Sequence, residues 1–127
     1  MVLVVDDEEL VCSSLCDYLA SIGYRVTGAR SGRQALELAQ NKDFAAAIRA
    51  VVTDVNMPGL SGPEMWLQMK HLVTPSCAIL FMSGRGNVLQ PANELPGEML
   101  AKPFPLELLR DKLARLIGTG TPGIADS

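Results

Sequence analysis

The stretch Val2-Leu3-Val4-Val5-Asp6-Asp7-Glu8-Glu9 runs four apolar side chains straight into four carboxylates. An apolar run without alternation suits a strand buried on both faces, as in a parallel sheet. The acids that follow suit a helix start, where the helix dipole favours negative charge. Val11, Leu15, Tyr18, Leu19 and Ile22 then recur on one face of a 3.6-residue period, and Gly23 closes that helix.

The pattern continues outward. Arg25 to Gly28 reads as a weak second strand, and Ser31 as the cap of a helix burying Ala35, Leu36, Leu38 and Ala39. Ala50 to Thr53 forms a third strand ending at Asp54. The preceding Phe44 to Arg49 stays open: alanine favours helix, but no period decides. Met57-Pro58-Gly59 is a loop, and Ser61-Gly62-Pro63 starts a helix with proline in its first turn. Met65, Trp66, Met69 and Leu72 supply its apolar face, with Trp66 leaning towards an exposed interface position because Met65 and Met69 already define a core stripe. Cys77 to Met82 is the fourth strand and Met99 to Ala101 a short fifth. Pro105 opens a last helix, with Leu106, Leu109, Leu113, Leu116 and Ile117 on one side and Gly118 at its end. Strands alternating with helices indicate an α/β fold on a parallel sheet. The domain is expected over residues 1–118, with 119–127 a flexible tail or linker.

Composition narrows the function classes. At 127 residues the chain is one domain. Its longest unbroken apolar run, Cys77 to Met82, falls far short of the roughly 20 residues of a membrane helix. The apolar start has no basic flank and meets Asp6 at once, so it is not a signal peptide. A net charge of −3 leaves no electrostatic footprint for nucleic acid. Three cysteines cannot all pair internally, which points to a reducing cytoplasm. Cys12 and Cys16 lie four apart, but no second pair exists and His71 is the sole histidine, so packing is favoured over zinc.

In parallel sheets, ligand sites form beyond the carboxyl ends of the strands. Those ends carry Asp6-Asp7, Asp54, Ser83-Gly84 and Lys102-Pro103. Crowded carboxylates repel unless a cation intervenes, and oxygen ligands with waters and phosphate oxygens suit Mg2+. Lys102 can grip a phosphoryl oxygen, and Ser83 can donate a hydrogen bond to the same group. Together they equip a rim for phosphoryl transfer to a carboxylate nucleophile.

Four strings carry a family likeness: Leu3-Val4-Val5-Asp6-Asp7-Glu8-Glu9, Thr53-Asp54-Val55-Asn56-Met57-Pro58-Gly59, Phe81-Met82-Ser83-Gly84 and Lys102-Pro103-Phe104. In this order and spacing they resemble the receiver domain of two-component response regulators, over residues 2 to about 118. The resemblance implies a doubly wound, flavodoxin-like three-layer sandwich with a five-stranded parallel sheet in the order 2-1-3-4-5. It implies that Asp54 accepts a phosphoryl group from a kinase phosphohistidine, forming an acyl phosphate. Asp7 and Asp54 would ligate Mg2+ through side chains, Asn56 through its backbone carbonyl, and Asp6 through a water. Ser83 would follow the phosphoryl oxygen, Gly84 would offer a backbone N–H beside it, and Lys102 would pair with the phosphoryl group. Pro103 would sit on a cis bond.

Two departures stand out. Met99 occupies the position where many members carry an aromatic switch residue, and a flexible thioether cannot reproduce a ring-in, ring-out motion. Between Ser83 and Lys102, Gly84, Gly86, Pro91, Pro96 and Gly97 interrupt the chain, so the helix after the fourth strand is expected to be short or irregular. Two other functions compete with phospho-acceptance. An aspartate-nucleophile phosphatase needs a general acid at position 56, where Asn56 cannot give up a proton. A phosphorylation-independent interaction domain is the other. The expected partner is a histidine kinase or histidine phosphotransfer domain, with the chain itself a cytoplasmic monomer or weak dimer. Its catalysis would extend only to its own phosphorylation and dephosphorylation. Met1 abuts the first strand and nine residues follow Gly118, which fits a domain cut from a longer protein. Ile79 to Gly84 looks like the receivers of hybrid sensor histidine kinases; a free-standing receiver and one from a transcription factor stay open.

Overall fold

The computed structural model describes residues 1–84 and 97–117. Its elements follow as β1 (Val2–Val5), α1 (Glu9–Ser21), β2 (Val26–Ala29), α2 (Gly32–Ala39), α3 (Lys42–Ala47), β3 (Ala50–Asp54), α4 (Gly62–Met69), β4 (Ala78–Ser83), β5 (Glu98–Ala101) and α5 (Leu106–Ile117). The strands pair in parallel in the order β2-β1-β3-β4-β5, the doubly wound order the motifs imply. The expected irregular helix after β4, the stop at Gly118 and the tail lie outside the described residues.

Side-chain alternation along each strand feeds two cores. Leu3, Val5, Val51, Ile79 and Phe81 point to one face, under α2, α3 and α4. Val2, Val4, Val52, Leu80, Met82 and Leu100 point to the other, under α1 and α5. This two-sided burial explains why β1 and β3 read as unbroken apolar runs.

Several expectations shift. The fourth strand begins at Ala78, because the Cys77 N–H turns back to the Thr74 carbonyl while Ala78 pairs with Arg49. The second strand runs to Ala29, whose carbonyl accepts from Asp6 N–H. Phe44 to Ala47 belongs to α3, a six-residue helix capped by Asn41, whose side chain accepts from the Phe44 N–H. Six residues are too few for a period to show.

Trp66 is buried rather than exposed, at 7%. Helix α4 packs against α2 as well as the sheet, so its apolar stripe is wider than the Met65–Met69 line. Leu72 lies beyond the end of α4 and is exposed, so it does not extend that stripe. In α1, Cys12 joins Leu15 and Leu19 as the fully buried set, with Val11, Tyr18 and Ile22 flanking them. Leu106 is likewise exposed, leaving Leu109 and Leu113 as the buried residues of α5.

Candidate phosphoryl-transfer site

Register brings the strand ends to one rim. Val5 aligns with Thr53, Asp54 with Met82, and Ser83 with Ala101. Asp6 therefore leaves β1 beside the last residue of β3, and Lys102 leaves β5 beside the end of β4. Further backbone bonds fix these exits. Asp6 N–H donates to Ala29, Val55 N–H to Met82, and Lys102 N–H to Ser83 at 2.7 Å.

Asp6 is completely buried, and both of its carboxylate oxygens have partners. One accepts from the Glu8 N–H at 2.9 Å, and the other accepts from the Lys102 ammonium at 2.9 Å. The same ammonium stands 3.6 Å from Asp54. Asp7 completes the group: Asp6, Asp7 and Asp54 each offer a carboxylate oxygen within 4.8 Å of the others. Such a cluster of hard oxygen donors fits a hard divalent cation.

Burial pushes the Asp54 carboxyl up to about 6, with the charges of Asp6 and Asp7 adding to the rise and Lys102 opposing it. Asp54 is thus still mostly ionised at neutral pH and unusually basic for a carboxylate, both of which suit a nucleophile. For Lys102, burial pulls its pKa down, but the bond to Asp6 and the charges of Asp54 and Asp6 outweigh it and hold the ammonium protonated.

The structure thus brings together Asp6, Asp7, Asp54 and Lys102. Ser83 closes β4 on the same rim; its hydroxyl donates to the Gly84 carbonyl at 3.5 Å, the outer limit of a hydrogen bond. Among the described residues, a Cβ placed on Gly84 would meet nothing within 4 Å. Asn56 is exposed in the loop after Asp54. The Lys102–Pro103 peptide bond is cis.

Two features were not read from the sequence. The capping box at α4, in which Ser61 accepts from Glu64 N–H and Glu64 accepts from Ser61 N–H, was written in the Ser-Gly-Pro-Glu string. The seating of Gly62 against Asp54 had no local signal: a Cβ there would lie 2.2 Å from the Asp54 carbonyl oxygen.

Cys12 and Cys16 both pack into the core beneath α1, where the Cys12 thiol reaches the Ala29 carbonyl at 3.8 Å. Burial raises both thiols, Cys16 to about 12, as befits packed, protonated sulfur. His71 is exposed just after α4.

A family model described as the response regulator receiver domain matches residues 2–114. The response regulator MprA of Mycolicibacterium vanbaalenii is 36% identical over 126 residues, covering 95% of this chain and 52% of that protein. A cyclic di-GMP phosphodiesterase of Thermotoga maritima is 30% identical over 119 residues, covering 91% of this chain and 30% of that protein. The chain therefore spans about half or less of the curated relatives it matches. Among solved structures, the receiver domain of the hybrid histidine kinase CckA superposes with a TM-score of 0.77 at 26% identity, covering 92% of this chain and 98% of that one.

Proposed function

The chain belongs to the response regulator receiver domain family, the phospho-acceptor modules of two-component systems, and from that premise we propose that Asp54 is its acceptor. The observation that carries this reading is the placement of Lys102 between Asp6 and Asp54, beside a third carboxylate, at the carboxyl ends of β1, β3 and β5.

The chemistry follows from these groups. A carboxylate oxygen of Asp54 attacks the phosphorus of a phosphohistidine, the P–N bond breaks, and the imidazole leaves. The product is an acyl phosphate. Lys102 swings its ammonium from Asp6 onto the new phosphoryl oxygens, a point charge meeting developing charge. Ser83 turns its hydroxyl to a second oxygen, and the Gly84 N–H serves a third. Mg2+ would be held by Asp7 and Asp54, by the Asn56 carbonyl, and by Asp6 through a water; it would supply a divalent charge opposite the transferring group.

The partner is a histidine kinase or a histidine phosphotransfer domain. Residues 1–118 form the receiver, and 119–127 serve as tail or linker. Among the described residues no helix is long and apolar enough to cross a membrane; we place the module in the cytoplasm as a monomer or weak dimer. Its chemistry is confined to its own phosphorylation and dephosphorylation.

Phosphotransfer tests this. A phosphorylated histidine phosphotransfer domain, mixed with the chain and Mg2+, should pass its label to wild type and not to Asp54→Ala. Transfer to the Ala variant would place the acceptor elsewhere.

A further inference from the structure

We propose that Gly62 is a positioning residue for phosphoryl acceptance, acting through the backbone of Asp54; this rests on Asp54 being the acceptor. Glycine is common at helix starts for its conformational freedom, but that is not its use here. The glycines with positive φ among the described residues are Gly23 and Gly59, so Gly62 sits in a backbone conformation open to any residue. Alanine is the better helix former at such a place. Space forbids it: a Cβ would lie 2.2 Å from the Asp54 carbonyl oxygen and 3.3 Å from the Thr53 methyl.

The contact has a function beyond packing. The Asp54 carbonyl is held on one side by the Thr53 hydroxyl, which donates to it at 3.1 Å, and on the other by the bare Cα of Gly62. The Gly62 N–H donates to the Val55 carbonyl at 2.9 Å, closing the loop 55–61 that carries Asn56. One glycine thus fixes both the backbone of the acceptor and the segment supplying the proposed carbonyl ligand. A Cβ needs roughly 1 Å more room to reach an ordinary C···O contact. The firm capping of α4 by Ser61 and Glu64 keeps the helix start from yielding, so Asp54 moves instead.

The clash is with Cβ itself, so Gly62→Ala and Gly62→Ser should behave alike. Each should slow phosphorylation by acetyl phosphate about tenfold or more, since misplacement near 1 Å costs up to about a hundredfold. Mg2+ titration followed by amide shifts should show affinity lowered about fivefold on the same reasoning, with shift changes concentrated at Thr53 to Asn56. Ser61→Ala, which weakens the same helix start without pushing Asp54, should stay within about twofold of wild type in both assays. If Gly62→Ala proves too unstable to assay, Thr53→Val decides: removing the hydroxyl that holds the same carbonyl should lower Mg2+ affinity and shift Asp54 to Asn56. Wild-type rate and Mg2+ affinity in a folded Gly62→Ala, or equal losses in Ser61→Ala, would overturn the proposal. An unphosphorylated wild type would instead refute the acceptor assignment, which the Mg2+ titration does not depend on.

Discussion

The ammonium of Lys102 rests 2.9 Å from the buried carboxylate of Asp6 and 3.6 Å from Asp54. The lysine is thus parked on the deeper acid, one short swing from the proposed acceptor. Because Asp6 is wholly enclosed, this pair supports the fold as well as the chemistry.

Lys102→Met leaves Asp6 with the Glu8 N–H but without its cation. Breaking a buried pair from one side typically costs about 3–5 kcal/mol, and the partial exposure of Lys102 places the expected loss near 3 kcal/mol. Urea denaturation without Mg2+ measures it. Added Mg2+ should recover part of the loss, since its charge also compensates the acids. A loss below about 1 kcal/mol would show that Asp6 does not depend on the lysine.

Asp54 should cost the fold stability at neutral pH. Its carboxyl is raised from 3.8 to about 6, first by burial and then by Asp6 and Asp7. Between those values the folded chain binds more protons than the unfolded one, so stability falls as pH rises through that window. Asp54→Asn removes the cost. In Mg2+-free buffer it should be more stable than wild type by about 2 kcal/mol at pH 7.5, and the two should converge near pH 4. A difference unchanged from pH 4 to 7.5 would contradict the shifted carboxyl.

Ser61→Ala removes one half of a reciprocal cap and frees the other. The expected loss is about 1 kcal/mol in chemical denaturation. A neutral result would mean that α4 starts as firmly without its cap.

Signal transmission should be local. Met99 packs on the face of the sheet that carries Phe81, whereas the buried leucines of α5 belong to the opposite face. Glu98 ties β5 to α5 through Lys112 and Arg115. Beryllofluoride, a stable mimic of the phosphoryl group, should shift the amides of Ser83, Gly84 and Gly97 to Met99 more than those of Leu109 to Ile117. Large coherent shifts along α5 would show a conventional switch operating without an aromatic at position 99. No shifts anywhere would favour the phosphorylation-independent interaction domain.

Most of the fold was legible because its core strands are buried on both faces. Val2 to Val5 and Ala50 to Thr53 need every side chain apolar, and such runs stand out. β2 was faint because it is an edge strand whose Thr27 and Gly28 face less of the core. α3 was illegible by period, although its Asn41 cap was there to be read. Trp66 was misplaced because local periodicity cannot show that a second helix covers α4. At the site, strand-end position revealed the acids and the lysine. The preference of Lys102 for Asp6, and the contact of Gly62 with Asp54, depend on distances that emerge only from tertiary packing.

The central claim is that Asp54 is the acceptor. Intact-mass analysis after incubation with acetyl phosphate and Mg2+ tests it most directly. Wild type should gain one phosphoryl group, lost in mild base as an acyl phosphate requires, and Asp54→Ala should gain none. An adduct that persists in Asp54→Ala, or one that survives alkali, would contradict the account.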